Sequence, residues 1–390
     1  MLAVQRRPSA PAPFSTLLQA FRQQRQRLDQ RTLEPLGRVV TAMQAPLLTG
    51  DATPYVSIRI RSPRHDRPLV DGAFFEAAEL CPVMLPSGDE ALAHVLDEPM
   101  YLAVARRSLA YRVRPLEAAG LVPTAKRGAV REQLLNQLKW GPAPADTLAK
   151  SLPPELRLEL GEAGERRGWP TLHALVLDEL RREGVLELRP SARSLMALDP
   201  PQWALRSRAA PPMPVDEAAG RLALRYFSIH GPATLDAFAA FCRLPREEIL
   251  AAVREAELVR VKVEGDDRPL LAAAPLAEAL RTFEEPSAAR LAFVPRRDPM
   301  TSGLAVPAGV HPVILGGRLG GFWAWDGDAR ELRYRMFEPM ATRPRRAADA
   351  MARELGDWLD TTFGARVFDD GDEDANVRLD AAMAMVSPRS

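Results

Sequence analysis

Cysteine and lysine are both scarce in this chain of 390 residues. The two cysteines, Cys81 and Cys242, lie in unrelated sequence contexts, which excludes a disulfide framework and a cysteine-based metal site and favours a reducing compartment. No stretch approaches 18 apolar residues, and the start of the chain lacks the apolar core of a signal peptide. We therefore expect a soluble cytoplasmic protein that does not associate with membranes.

The short motifs for phosphate binding, metal binding and nucleophilic hydrolysis are also missing. The chain has no P-loop, no Gly-rich dinucleotide motif after a strand, no His-Glu-x-x-His and no Gly-x-Ser-x-Gly. Its five histidines are far apart and show no metal-ligand spacing. The sequence thus predicts neither a metal nor a small-molecule cofactor.

Net charge is small as well, because 52 basic residues face 51 acidic ones, for a formal charge of +1 at pH 7. A globally basic protein is excluded, but local segregation of charge is not. Residues 100–140 hold six Arg and two Lys against two Glu, and this density indicates a surface that neutralises phosphates. Four of these arginines stand close together: Arg106, Arg107, Arg112 and Arg114.

Proline, in contrast, is abundant, with 36 residues, and it marks an internal repeat. Residues 141–149 read GPAPADTLA and residues 231–239 read GPATLDAFA. Glycine can end the preceding helix, proline prevents its continuation, and a following polar residue can cap the next helix. Both copies follow an amphipathic stretch, 130–140 or 217–230, so each predicts a turn between two helices.

The residues after each copy predict the same kind of structure. After the second copy we expect helices at 235–242 and 246–256 and a β-hairpin at 258–273. After the first copy we expect a helix at 171–184 and strands in VLELRP and SLMAL. Helix, turn, helix, helix and hairpin is the order of a winged helix. The repeat therefore predicts tandem winged helices.

The N-terminal part is expected to be mainly helical, with one or two short strands. Helical spacing predicts helices at 14–30 and 33–44, and residues 55–61 fit either a strand or a short helix. Residues 70–97 predict two more helices, and residues 101–115 have strand-like ends.

From about residue 290 onward, apolar and polar residues alternate between Gly, Asp and Pro turns, which predicts a small antiparallel sheet or barrel. A helix is expected at 345–359, and the acidic segment 369–380 and the residues after it are expected to form a flexible tail. The expected fold class is mainly α with α+β modules, in which tandem winged helices precede a small C-terminal antiparallel β-barrel or sheet.

These elements predict five parts of the chain: an N-terminal winged-helix-like domain at 14–120, a second winged helix at 121–208, a third at 209–285, a β-rich domain with a terminal helix at 286–368, and an acidic tail at 369–390.

Several motifs together resemble a known family. The block GPATLDAFAAFCRLPREEILAAV, then VPRRDP, HPVILGGRLGGFWAW and FEP occur in the order seen in the AlkZ/YcaQ-like tandem winged-helix DNA glycosylases, which repair crosslinks. The N-terminal LGRVVTAMQAPLLTGDATPYVSIRIRS resembles more loosely the segment that holds that family's catalytic motif. The likeness spans roughly residues 20–355.

The resemblance implies three winged helices, a C-terminal β-barrel and a basic channel for double-stranded DNA. It also implies metal-free hydrolysis of the N-glycosidic bond of N7-alkylated or crosslinked purines. The family's signature is Gln, a small apolar residue, then Gln or Asp, whose polar side chains position the attacking water. The matching tripeptide is Gln44-Ala45-Pro46, in which proline replaces the second polar residue.

A second family motif, Arg-Gly-Thr-Leu-His, corresponds here to the five residues from Arg106 to Ala110, where Ala110 replaces the histidine. These departures leave several functions open. One is a divergent glycosylase, in which Gln44 positions water and Asp51 supplies a carboxylate. Another is a noncatalytic DNA-binding protein, such as a transcription regulator, and a third is a protein-interaction scaffold.

The candidate residues are Gln44 and Asp51 for catalysis. The expected partner is double-stranded DNA, bound by a monomer. The residues expected to bind DNA are Arg106, Arg107, Arg112, Arg114, Lys126 and Arg127.

Overall fold

The computed structural model describes residues 16–28, 32–190, 192–198, 202–263, 266–284, 290–301, 303–371 and 373–386. Its α-helices are α1 (Thr16–Arg25), α2 (Leu36–Ala42), α3 (Thr53–Arg59), α4 (Arg67–Phe75), α5 (Glu98–Ala118), α6 (Thr124–Leu138), α7 (Ala145–Ser151), α8 (Gly161–Glu165), α9 (Leu172–Arg182), α10 (Val215–Ile229), α11 (Leu235–Cys242), α12 (Arg246–Glu255), α13 (Ala274–Arg281), α14 (Thr342–Phe363) and α15 (Ala375–Val386). Its strands are β1 (Leu80–Met84), β2 (Glu90–His94), β3 (Ala143–Pro144), β4 (Leu186–Arg189), β5 (Gln202–Leu205), β6 (Ala233–Thr234), β7 (Val259–Val263), β8 (Asp266–Ala272), β9 (Leu291–Phe293), β10 (His311–Leu315), β11 (Arg318–Asp326) and β12 (Glu331–Met336).

The chain forms two compact units. The central unit comprises Thr32–Val261 and Pro269–Ala279, and the C-terminal unit comprises Met1–Arg31, Lys262–Arg268 and Leu280–Ser390. The finer division into five parts stays a prediction. None of the helices in the described ranges is long and apolar enough to cross a membrane.

The two copies of the repeat begin stretches with equivalent sheets, and the first stretch has one additional short helix, α8. After the first copy, β3, α7, α8, α9, β4 and β5 follow, and the sheet order is β3-β5-β4. After the second copy, β6, α11, α12, β7 and β8 follow, and the sheet order is β6-β8-β7. In each sheet the short strand of the Gly-Pro-Ala turn pairs with the last strand. The helices predicted at 235–242 and 246–256 are α11 and α12.

The second Gly-Pro-Ala turn shows why its residue types are needed. A Cβ on Gly231 would lie 2.2 Å from the carbonyl oxygen of Phe227 in the preceding helix, so only glycine fits this close approach. Thr234 then caps α11, because its hydroxyl oxygen accepts a hydrogen bond from the backbone N–H of Ala237 at 3.2 Å. In the first copy Pro144 occupies the cap position, so no side chain caps α7.

The N-terminal predictions are partly wrong. Residues 55–59 lie in the helix α3, and Ile60 and Arg61 form the turn after it. The first of the two helices expected at 70–97 is α4. The second is instead an antiparallel hairpin of β1 and β2, in which Cys81 pairs with Ala93. Its turn contains Gly88 at φ +98°, which favours glycine. Two short apolar runs around Pro-Ser-Gly-Asp are a hairpin pattern, and this signal was available in the sequence.

Residues 101–115 belong to the 21-residue helix α5, so their strand-like ends were misleading. This helix contacts β1, α9 and α10. Because burial on several sides spreads apolar residues around the helix, the 3.6-residue periodicity is weak.

The strand expected in SLMAL is also wrong. Residues Leu195–Leu198 form a 3-10 helix, and the strand that pairs with β4 is β5, a few residues later. The apolar run was too short to distinguish the two conformations.

The C-terminal unit contains the expected antiparallel sheet, in the order β12-β11-β10-β9. The helix expected at 345–359 is the longer α14, which packs on β12. The flexible tail expected from residue 369 is wrong, because α15 covers 375–386 and packs on β11. Ala375, Leu379 and Ala382 recur at helical spacing and are buried against Val310 and Phe322.

Candidate active site and nucleic-acid interface

Gln44 lies just after α2, where the chain turns sharply toward the β1–β2 hairpin. Gln44 and Ala45 have φ values of +60° and +66°, so two successive non-glycine residues adopt the left-handed conformation. This conformation is uncommon for such residues and stores strain, and strained residues are enriched at functional sites. Beyond the turn, the Pro46 carbonyl accepts a hydrogen bond from Leu92 N–H at 2.8 Å, and Leu48 N–H donates to the Glu90 carbonyl at 2.9 Å. Pairing with β2 therefore fixes the segment.

The Gln44 side chain is almost completely buried. Its exposed fraction is 3%, and neither Nε2 nor Oε1 forms a hydrogen bond with any described residue. An amide removed from water without compensating hydrogen bonds is costly, commonly by about 1–3 kcal/mol. The turn thus holds an amide donor group and a carbonyl acceptor in place, and none of the described residues uses their hydrogen-bonding capacity.

The Asp51 carboxylate forms hydrogen bonds with residues close to it in the sequence. Its Oδ1 accepts hydrogen bonds from Thr49 Oγ1 at 2.5 Å and from the backbone N–H of Thr53 at 2.8 Å. The second contact satisfies an N–H in the first turn of α3. Oδ2 takes part in neither contact. Asp51 therefore has a structural role at the start of α3, whatever else its carboxylate does.

The segment from Arg106 to Ala110 lies within α5, and its arginines have different surroundings. Arg106 is exposed. Arg107 binds Glu248 of α12, with Nε 3.1 Å from Oε1 and Nη2 2.6 Å from the same oxygen. The hydrogen bond with Glu248 raises the pKa of Arg107. Arg107 therefore joins α5 to α12 through a charged pair.

The other residues expected to bind DNA also differ in their contacts. Arg114 is exposed and stacks over the ring of Tyr111 at 4.4 Å. Arg127, at the start of α6, is paired with both Glu117 and Glu179, at 2.6 Å in each case. The neighbouring Lys126 is half-buried. Arg106 and Arg114 are thus the two predicted residues whose charged side chains are exposed on α5.

Arg112, the remaining predicted residue, lines a cavity of about 480 Å³ in the central unit. Sequence reasoning missed the rest of this basic cavity, because its arginines come from four stretches that are far apart along the chain. Two aspartates, Asp89 and Asp178, also line it. The arginines are Arg112 of α5, Arg167 after α8, Arg181 and Arg182 at the end of α9, and Arg243 after α11.

The fold and the sequence match one class of protein. The fold is similar to that of the Streptomyces sahachiroi DNA glycosylase AlkZ, with a TM-score of 0.68 and 18% sequence identity, over 92% of this chain and 99% of that chain. No curated protein matches the sequence. The model of the DNA glycosylase AlkZ-like family matches residues 38–360. The chain belongs to this family, which confirms the resemblance and the glycosylase-like function expected from the sequence.

Proposed function

We propose that this protein hydrolyses the N-glycosidic bond of N7-alkylated purines, crosslinked ones included, in double-stranded DNA. Membership in the AlkZ-like family supports the reaction class. The observation that carries the proposal is the buried Gln44 amide, which has no hydrogen-bond partner among the described residues. A polar group held in this way is suited to position a reactant.

The chemistry demands little of the protein. An N7-alkylated purine already carries a positive charge, so the bond between C1′ of the sugar and N9 can break without protonation of the base. The electron pair of that bond neutralises the purine, while the oxygen of a water molecule forms the new bond to C1′. The water's proton passes to solvent or to a carboxylate. Gln44 Oε1 can accept a hydrogen bond from the water, and Nε2 can donate one to a sugar oxygen. Because an amide cannot take the proton, Gln44 orients the reactants and is not a general base.

We assign electrostatic support to Asp51. A carboxylate close to the sugar stabilises the positive charge that develops at C1′ as the base departs. Such a group would compensate for Pro46, which has no polar side chain where the family signature has Gln or Asp.

We infer that the two repeat stretches, 141–205 and 231–272, are winged helices that act in tandem within a monomer on duplex DNA. Their identical strand order supports this inference. The N-terminal domain at 14–120 would then supply Gln44 and Asp51.

The test is release of base from a duplex oligonucleotide with a single N7-methylguanine. We expect the wild type to release the base and Gln44→Ala to be slower by about 10²–10⁴-fold, because a positioned group is lost. Duplex affinity should stay within about twofold, since the substitution changes no charge. Asp51→Asn should slow release as well, because Asn keeps an oxygen that can accept the N–H of Thr53 but loses the charge. Gln137→Ala, an exposed glutamine on α6, is the matched control.

Two outcomes contradict the proposal. Wild-type rates in both Gln44→Ala and Asp51→Asn would overturn the site assignment. A wild type that binds duplex DNA but releases no N7-methylguanine would favour the noncatalytic DNA-binding alternative.

A further inference from the structure

Three arginine side chains that line the basic cavity of the central unit converge near Gly88. The turn residue Gly88 lies at its wall, and a Cβ at this position would be surrounded by three guanidinium nitrogens. Arg112 Nη1 and Arg182 Nη2 would each lie 3.7 Å from that Cβ, and Arg243 Nη1 would lie 3.8 Å from it. Three positive charges so close together repel one another, and an anion between them would replace this repulsion with attraction.

Acidic side chains neutralise only part of the lining: Arg182 is paired with Asp178, and Arg181 is paired with Glu90. Arg112, Arg167 and Arg243 form no ion pair with any described carboxylate. Arg112 instead stacks over Trp169 at 4.4 Å and donates to the Arg167 carbonyl oxygen at 2.5 Å. The lining therefore has an excess of positive charge.

The two lining aspartates are already engaged. Asp178 Oδ1 accepts from Arg182 Nε at 2.8 Å, and its Oδ2 accepts from Trp169 Nε1 at 3.0 Å. Asp89 Oδ2 accepts from the Ser87 hydroxyl at 2.7 Å. Each of the two carboxylates therefore already accepts at least one hydrogen bond from the protein.

The cavity also contains donors that are fixed in place. Arg182 is 1% exposed, and its position is set by Asp178 and by the carbonyl oxygen of Ala105, 3.2 Å from Nη1. Trp203 lines the same cavity, and its buried Nε1 has no hydrogen-bond partner among the described residues. A ligand that suits this site must supply several acceptor oxygens and negative charge.

Arg112 keeps its positive charge at neutral pH. Burial, followed by the nearby charges of Arg182 and Arg243, lowers the pKa of Arg112 to about 10. Its guanidinium is still protonated at pH 7. An anion in the cavity would offset the repulsion that lowers this pKa.

We propose that this cavity is a phosphate-binding site. A phosphate group has the charge and the acceptor oxygens that converging guanidinium groups bind well. The phosphate can belong to a free phosphorylated small molecule or to the DNA backbone, and the experiment below separates these sources. The site does not depend on base excision, so its test needs no damaged DNA.

The first experiment measures binding of inorganic phosphate and pyrophosphate by isothermal titration and by the change in Tm, with NaCl at matched ionic strength as the reference. We expect both ligands to raise the Tm of the wild type beyond the effect of NaCl. The variant Arg112→Gln/Arg243→Gln should bind at least about 100-fold more weakly, since two charged hydrogen-bond donors are lost. Arg243→Gln alone changes an exposed side chain and should weaken binding about tenfold with folding intact. Arg221→Gln, an exposed arginine of α10 paired with Glu217, is the control.

The second experiment measures the affinity of the protein for undamaged duplex DNA. If a backbone phosphate enters the cavity, pyrophosphate competes with duplex beyond the NaCl effect, and Arg112→Gln/Arg243→Gln lowers duplex affinity more than Arg221→Gln does. If the ligand is a free molecule, duplex affinity does not respond to either change, while pyrophosphate still binds. The proposal is overturned if phosphate and pyrophosphate act only as NaCl does and the double variant binds duplex as tightly as Arg221→Gln.

Discussion

In the C-terminal unit, His311, Asp370 and Arg378 form a buried network of polar side chains. His311 Nδ1 accepts a hydrogen bond from Arg296 N–H at 3.0 Å, so the proton on Nε2 faces Asp370 Oδ2 at 2.9 Å. Arg378 Nη1 lies 3.2 Å from the same oxygen. Burial alone would raise the pKa of Asp370, but its interactions with His311 and Arg378 lower it overall.

This network predicts a pH-dependent contribution to stability. Because the pKa of Asp370 is lower in the folded protein than in the unfolded chain, its stabilising effect is complete above the unfolded value, near 4, and is lost as pH falls through the folded value. Asp370→Asn should reduce the free energy of unfolding at pH 7 by about 3 kcal/mol, and the difference from wild type should shrink on acidification. Urea unfolding at pH 7 and pH 3 measures this. Asp369→Asn, at an exposed neighbour, should change little, and an equal loss in both variants would contradict the prediction.

At the scale of single residues, the sequence identified Gln44 by its resemblance to a motif. It did not predict that the amide is buried with no hydrogen-bond partner in the described part of the chain, because this depends on the pairing of β2 with the segment from Pro46 to Leu48. Arg107 shows the converse: its partner Glu248 lies 141 positions away, so its sequence neighbours did not indicate an ion pair.

At the scale of helices and strands, the sequence predicted elements best where one face alone is buried. The helix α12 has this pattern, and its predicted and observed bounds nearly coincide. The prediction from the sequence was wrong where acidic residues next to a helix obscured its apolar periodicity. Acidic residues just before α15 suggested a flexible tail, although apolar residues recur at helical spacing from Ala375 onward.

Helix α15 should therefore be necessary for the stability of the C-terminal unit. Leu379 is fully buried against Phe322 and its neighbours, so Leu379→Ala removes packing and leaves a cavity. We expect a loss of about 2–5 kcal/mol in the free energy of unfolding. Val377→Ala, on the same helix but 55% exposed, should cost less than about 1 kcal/mol. Chemical denaturation of both variants measures the difference, and similar values for the two would mean that α15 does not stabilise the sheet.

At the scale of the whole molecule, a formal charge of +1 conceals strong local charge. Arginines on α5 are visible as a cluster in the sequence, so part of a basic surface could be predicted. The basic cavity could not, because tertiary packing brings together Arg112, Arg167 and Arg243 from three different parts of the chain.

The exposed arginines of α5 should contact DNA phosphates. The affinity for undamaged duplex should fall linearly with salt on a double logarithmic plot, and Arg106→Ala/Arg114→Ala should reduce the slope by about 2, since each phosphate contact contributes about 0.9. Affinity should weaken equally for all duplex sequences. Fluorescence anisotropy at several salt concentrations measures the slope, with Arg221→Ala as control. An unchanged slope would exclude this face of α5 from the DNA interface.

At the left-handed turn of Gln44 and Ala45, the residues that would be best for stability differ from those that the proposed reaction needs. Glycine enters this conformation at little steric cost, so selection for heat resistance alone would enrich glycine at both positions. Glycine at position 44 would also remove the buried amide and its unmet hydrogen bonds. Selection that also required release of the base would keep glutamine at position 44 and leave position 45 free to become glycine. Both positions have a strained backbone conformation, but only position 44 needs a particular side chain for the proposed reaction.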